Sequence, residues 1–176
     1  MLTEIPCVRR GNRNFGDEIF EARLMGLCYV WAPEVPAVRD WVIEESQKVF
    51  ALPLERKMAM RTDNGQRGYS EVGREEGRFC KKWGPAKTPM ADCKEHWMAA
   101  VKDLPPDHPE VLTWPDLHHP NIWPEEVPGF RQSIKELYQL VMPIGMDVLR
   151  ALEPKLGKDP GYYDKVTRDG GNGLVS

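Results

Sequence analysis

Four histidines, His96, His108, His118 and His119, are the side chains best suited to hold a metal or move a proton near neutral pH. An iron centre of the facial-triad kind needs two histidines and one carboxylate, with positions left open for substrate and oxygen. His108-Pro109-Glu110 has the His-x-Glu form of the first half. The second half fails, because the last histidine, His119, follows only eleven residues later. The segment from Pro105 to Pro109 also reads as a proline-bound loop, a poor platform for rigid ligands. Cys93, His96, His118 and His119 are the zinc alternative. Structural zinc uses two tight pairs of ligands, and adjacent histidines in a strand face opposite ways. His118 and His119 read as exposed side chains of a surface loop, and no metal ligand is assigned.

Nucleophilic and phosphate chemistry have less support. The chain has no Gly-x-Ser-x-Gly elbow, no Gly-x-Gly-x-x-Gly and no Gly-x4-Gly-Lys-Ser/Thr. Arg74, Arg78, Lys81, Lys82 and Lys87 surround Phe79 and Trp83, but Glu71, Glu75 and Glu76 dilute that patch. It reads as a solvated loop face rather than a nucleic-acid site. Cys7, Cys28, Cys80 and Cys93 form no Cys-x-x-Cys pair, so free, buried thiols in a reducing compartment are expected.

These side chains must be positioned by a single domain-sized chain of 176 residues, 41% hydrophobic and 29% charged. A net charge of -3 gives no general attraction to nucleic acid or anionic lipid. No apolar run reaches the ~20 residues of a membrane span, and Met1 to Arg13 lack a signal-peptide core. A cytoplasmic protein is expected.

The first dozen residues read as a mobile end or a poorly packed strand. Gly16 to Met25 reads as a short helix stopped by Gly26, and Leu27 to Trp31 as a buried strand. A helix follows from Pro36, and Pro53 opens another over Leu54 to Met60. From Arg61 to Pro128 the proline density excludes long helices. Gly68 to Val72 and Cys93 to Met98 are the strand candidates there. Gly129 to about Leu156 is the strongest helix, with Phe130, Ile134, Leu137, Val141, Ile144 and Val148 at alternating spacings of four and three. Pro143 should kink it near Gln139, and Gly157 should cap it. Pro160 to Val166 reads as one further turn, and Gly173 to Ser176 as the start of a strand.

An ordered series of words carries more information than any single motif. Phe50-Ala51-Leu52-Pro53-Leu54-Glu55-Arg56-Lys57 precedes Gln66-Arg67-Gly68-Tyr69 and Asp92-Cys93-Lys94-Glu95-His96-Trp97. Leu104-Pro105-Pro106-Asp107-His108-Pro109, Asn121-Ile122-Trp123-Pro124 and Val127-Pro128-Gly129-Phe130-Arg131 follow, then Leu149-Arg150-Ala151-Leu152 and Leu156-Gly157. In order and spacing, from about Gly16 to Ser176, the series resembles the N-terminal half of the isopenicillin N synthase-like non-haem iron oxygenases. Most of that family use 2-oxoglutarate.

The resemblance implies an α+β fold of N-terminal helices and short strands that flank a double-stranded β-helix, or jelly roll, with the catalytic barrel truncated. It divides the chain into a flexible N-terminus over 1–15, the non-haem dioxygenase N-terminal domain over 16–166, and the start of the jelly roll over 167–176. Family iron ligands, His-x-Asp and a distal histidine, lie in the other half, as does an Arg-x-Ser that grips 2-oxoglutarate. Arg131-Gln132-Ser133 lies in the helix before the barrel and is coincidental. The intact enzyme is expected to use Fe(II) and 2-oxoglutarate on a small organic substrate, with no nucleic-acid or membrane partner. This chain, without those ligands, is expected to hold neither cofactor and to be inactive without the missing C-terminal barrel. A non-catalytic binding module derived from the family is the alternative. Substrate-facing residues implied for this half are Arg67, Tyr69, Lys94 and Trp97. Each also has a plainer role: Tyr69 packed with its hydroxyl satisfied, Lys94 at the surface, Trp97 in the core.

Overall fold

The computed structural model describes residues 4–62, 67–74, 93–100, 104–115 and 118–167, with the backbone of 174–175. Two compact units divide the chain, one formed by Met1–Glu44 with Gln132–Gly171, the other by Glu45–Arg131 with Asn172–Ser176.

In the first unit, β1 (Cys7–Arg9) pairs in parallel with β2 (Tyr29–Trp31), Val8 opposite Val30. Between them runs α1 (Phe15–Ala22). Its apolar residues Phe15, Ile19 and Ala22 recur at helical spacing and are buried. Val8, Phe15 and Ile19 form the core, against which Cys28, Val30, Val148, Ala151 and Leu152 pack. The N-terminal stretch thus holds a short strand whose central residue, Val8, is only 2% exposed.

The expected buried run from Leu27 to Trp31 is corrected. Only alternate residues turn inward, as strand pleating requires. Cys28 and Val30 join the core, whereas Leu27, Tyr29 and Trp31 are exposed. The expectation of buried thiols also fails for two cysteines: Cys7 and Cys93 are exposed, and Cys28 is half-buried. Cys80 lies outside the described residues.

Helix α2 (Val35–Phe50) gives residues to both units, as does the long helix described below. In the second unit, α3 (Leu54–Met58) precedes a three-stranded antiparallel sheet in the order β3 (Gly68–Ser70), β4 (His96–Ala100), β5 (Leu174–Val175). Gly68 has φ +74°, and a Cβ there would run into the Met60 carbonyl. Only glycine lets the chain enter β3 so close to that backbone, and Tyr69 N–H then donates to the same carbonyl at 3.1 Å. The Asn121 side chain extends the sheet chemistry: it both accepts from and donates to the Ala100 backbone, each bond 2.7 Å.

The expected proline-bound loop runs through Pro105 to His108, outside helix and strand, and at Pro109 it opens an unexpected short helix, α4 (Pro109–Thr113). Proline at the first helical turn costs no hydrogen bond, and the preceding His108 supplies the cap: its Nδ1 accepts from Glu110 N–H at 3.2 Å. Helix α5 (Pro128–Leu152) follows and runs 25 residues without a break at Pro143. A 3-10 turn (Pro154–Leu156) and α6 (Tyr162–Val166) close the described chain before β5, with Gly157 in the left-handed conformation expected of a cap. The buried Glu153 carboxylate ties this region by accepting from Gly161 N–H at 2.9 Å and Tyr163 N–H at 3.0 Å.

Periodicity on α5 holds at Phe130 and Ile144, which are 3% and 8% exposed. It fails at Val141, expected on the buried face but 45% exposed. Spacing puts a residue on a helix face; burial also needs another element against that point.

Candidate functional site

The four candidate residues come from two adjacent strands and the segments entering them. Antiparallel register sets Tyr69 of β3 directly opposite Trp97 of β4, so both side chains leave the sheet on one face. Both are buried, at 1% and 5% exposure. Arg67, also 1% exposed, enters β3 and points its Nε to the His119 carbonyl at 3.1 Å. Lys94, two residues before β4, is exposed. The fold therefore gathers Arg67, Tyr69 and Trp97 into the interior of the second unit and leaves Lys94 at its surface.

Tyr69 belongs to a charged network that the motif reading missed. Its hydroxyl donates to Glu95 Oε2 at 2.5 Å, and the Lys57 ammonium donates to the same oxygen at 2.8 Å. Lys57, itself 7% exposed, also donates to the Phe50 carbonyl at 2.9 Å and lies 5.2 Å from the Tyr69 ring centroid. A buried ammonium persists only with such partners. Burial first, and the carboxylate beside it second, push the Tyr69 phenol up to about 12. Burial pushes the Glu95 carboxyl up, but hydrogen bonds from Lys57 and Tyr69 outweigh it and leave the group below its ordinary value. Lys57 and Glu95 both fall inside the words quoted above, yet nothing in the sequence pairs residues 38 positions apart.

Trp97 meets the Phe130 ring edge-on, with centroids 5.7 Å apart, and Trp123 meets it from 5.9 Å. The indole N–H groups of Trp97 and Trp123 are buried without a hydrogen-bond partner among the described residues.

Among the described residues, no three His, Cys, Asp or Glu side chains converge as metal ligands. His108 is engaged as the cap of α4, and Cys93 is exposed. The described residues do not fit an Fe(II) centre. Among them, no helix is long and apolar enough to cross a membrane.

The backbone is similar to about half of the chain in solved 2-oxoglutarate and iron oxygenases. A 2OG-Fe(II) oxygenase family protein from Caulobacter crescentus matches 98% of this chain with a TM-score of 0.76, at 24% identity, over 55% of its own chain. A full-length Neurospora crassa protein, solved in complex with alpha-KG, matches 97% of this chain with a TM-score of 0.71, at 25% identity, over 52% of its own.

Residues 12–126 match the family described as non-haem dioxygenase in morphine synthesis, N-terminal, and the chain belongs to that family. Similar proteins include clavatol oxidase claD of Penicillium crustosum, 32% identical over 150 residues, which are 80% of this chain and 44% of that protein. The 2-oxoglutarate-dependent dioxygenase ecdK of Aspergillus rugulosus is 32% identical over 130 residues, 68% of this chain and 34% of that protein. The chain spans less than half the length of these relatives.

Proposed function

We propose that this chain is the N-terminal part of a 2-oxoglutarate and Fe(II)-dependent oxygenase acting on a small organic substrate in the cytoplasm. The single observation that carries the reading is the asymmetry of the match. Clavatol oxidase claD pairs with 80% of this chain but only 44% of its own length. The remaining length is where the reading places the ligands for iron and 2-oxoglutarate, which in the intact enzyme supply oxidation by molecular oxygen. Residues 16–166 are then the N-terminal domain, which β1 and the buried Val8 and Phe15 join from the segment before it, and residues 167–176 lead into the jelly roll.

On this reading the chain's own contribution is positional. Arg67, Tyr69 and Trp97 form the rigid interior behind the substrate side, and Lys94 stands at its edge. The half-buried Lys57–Glu95–Tyr69 network supports this, because its ion pair and hydrogen bonds fix a wall that must keep water from a reactive centre. The chain alone is inactive.

Anaerobic titration tests the proposal. The 176-residue chain should show no stoichiometric Fe(II) site and no charge-transfer band with 2-oxoglutarate. Fused to the part of clavatol oxidase claD beyond its match, it should show both. A tight one-to-one complex of the unfused chain with both would overturn the reading and return His108 and Glu110 to consideration as ligands.

A further inference from the structure

The β3–β4 pair has two faces, and Tyr69 and Trp97 occupy one of them. The second unit closes that face itself: Glu95, held by Lys57, takes the Tyr69 hydroxyl, and the Phe130 ring meets Trp97 with centroids 5.7 Å apart. Arg67 is turned inward as well, its Nε on the His119 carbonyl at 3.1 Å. Pleating sends alternate residues to opposite faces. Register therefore puts Ser70 beside His96 and Gly68 beside Met98 on the other face. That face carries a hydroxyl, an imidazole and a thioether in a row, and His96 and Met98 on it are only half-buried. Ile122 borders the row, its Cδ1 3.3 Å from the place a Gly68 Cβ would take. Lys94, two residues before His96, is exposed and stands outside the row.

Resting on the oxygenase reading, we propose that Ser70, His96 and Met98, rather than Arg67 and Tyr69, are this chain's substrate-contacting residues, and that they select a small, uncharged ring compound bearing a hydrogen-bonding oxygen. Directly opposite residues of an antiparallel pair hold their Cβ atoms ~5 Å apart, so one substrate oxygen reaches both Ser70 and His96. A hydroxyl and an imidazole each donate or accept, which suits a ketone or a phenol. The Met98 sulfur is polarizable and favours an aromatic ring against it. A carboxylate substrate would need a cation in the row. Among the described residues none stands there, since Arg67 points to the His119 carbonyl and Lys57 to Glu95. The Arg67-Gly68-Tyr69 segment thus serves the substrate through its neighbour: Tyr69 fixes β3 from behind, and Ser70 makes the contact.

The fusion to the C-terminal part of clavatol oxidase claD, loaded with Mn(II) in place of Fe(II) and with 2-oxoglutarate, separates the two faces by nuclear magnetic resonance. Paramagnetic broadening should be at least tenfold greater for the Met98 methyl than for the Trp97 indole N–H, the signals being assigned by Met98→Leu and Trp97→Phe. Equal broadening, or the reverse order, overturns the proposal and spares the oxygenase reading. Loaded with Fe(II) and 2-oxoglutarate in the absence of oxygen, the fusion should bind para-hydroxyacetophenone at least tenfold more tightly than para-hydroxybenzoate. The double variant Ser70→Ala, His96→Ala should cut that preference at least fivefold and leave the charge-transfer band of 2-oxoglutarate unchanged. A preference for the benzoate, binding of neither compound, or a preference indifferent to the double variant also overturns the proposal. A folded fusion that binds neither metal nor 2-oxoglutarate strikes the oxygenase reading and this proposal with it. If the fusion does not fold, the 176-residue chain decides. Met98→Gln should lower its melting temperature by less than a quarter of the loss caused by Trp97→Gln, because the Trp97 face is closed core and the Met98 face is not. Comparable losses overturn the proposal.

Discussion

The carboxylate of Glu45 lies against the Cα of Gly129, in the first turn of α5. Glu45 is 7% exposed and is held by Lys48 at 2.7 Å. A carboxylate at a helix N-terminus meets the positive end of the helix dipole, so its charge is favourable there. The contact is possible because residue 129 has no side chain: a Cβ would stand 2.7 Å from Glu45 Cδ, closer than real Cβ contacts come, and a tight 3.1 Å from Oε1.

Gly129→Ala is therefore expected to destabilise the protein by about 1 kcal/mol, although alanine is the better helix former by a similar amount. In a Glu45→Ala background the same substitution should be neutral or stabilising. Denaturant unfolding of the four proteins in a double-mutant cycle measures the difference. Additive effects would show that Glu45 does not occupy the space at Gly129.

The Tyr69–Glu95–Lys57 network predicts a stability optimum with a loss at each end. Tyr69 has its phenol raised to about 12 from an ordinary ~10. Its share of stability is complete below about pH 10 and falls as pH rises through about 12, because the unfolded chain then loses its proton first. Glu95 is held below its ordinary range, so its share is present above ~4.3 and falls as pH drops through the lowered folded value. Absorbance titration of the tyrosines in the near ultraviolet should show Tyr69 titrating late, beside Tyr138, which burial also pushes up; the Tyr69 step should be removed by Tyr69→Phe and shifted down by Glu95→Gln. Tyr69→Phe should also cost about 1 kcal/mol at neutral pH, the worth of a buried hydrogen bond to a charged acceptor, less the gain from removing a buried hydroxyl. If all tyrosines titrate together in the native protein, the hydroxyl of Tyr69 does not face Glu95.

Much of this fold was legible because it rests on local rules. Pro36 and Pro53 mark the starts of α2 and α3 to within a residue, and Gly157 takes the left-handed conformation. Helix α4 was hidden by the same proline rule, which excludes long helices but permits one turn opening on Pro109. For the site, the quoted words contained the network and its neighbours: Lys57, Arg67, Tyr69, Glu95 and Trp97. What the words could not carry was the pairing. Lys57 and Tyr69 meet Glu95 only after β3 and β4 have aligned, and that register is set by tertiary packing rather than by local preference.

Helix α5 offers the sharpest contrast between pattern and packing. Val141 and Val148 occupy the same face by spacing, one heptad apart. Val148 packs against Val8, Phe15 and Ile19, whereas Val141 is 45% exposed. Val148→Asp would bring an unpaired carboxylate against an apolar core and remove a packed branched side chain, at an expected cost of about 3 kcal/mol. Val141→Asp leaves its carboxylate in water and should change stability by no more than about 0.5 kcal/mol in the chain on its own. Thermal and urea unfolding of both variants check the pair. Equal losses would mean that Val141 is covered in solution, and a silent Val148→Asp would mean that the C-terminal half of α5 does not close the core of Val8, Phe15 and Ile19.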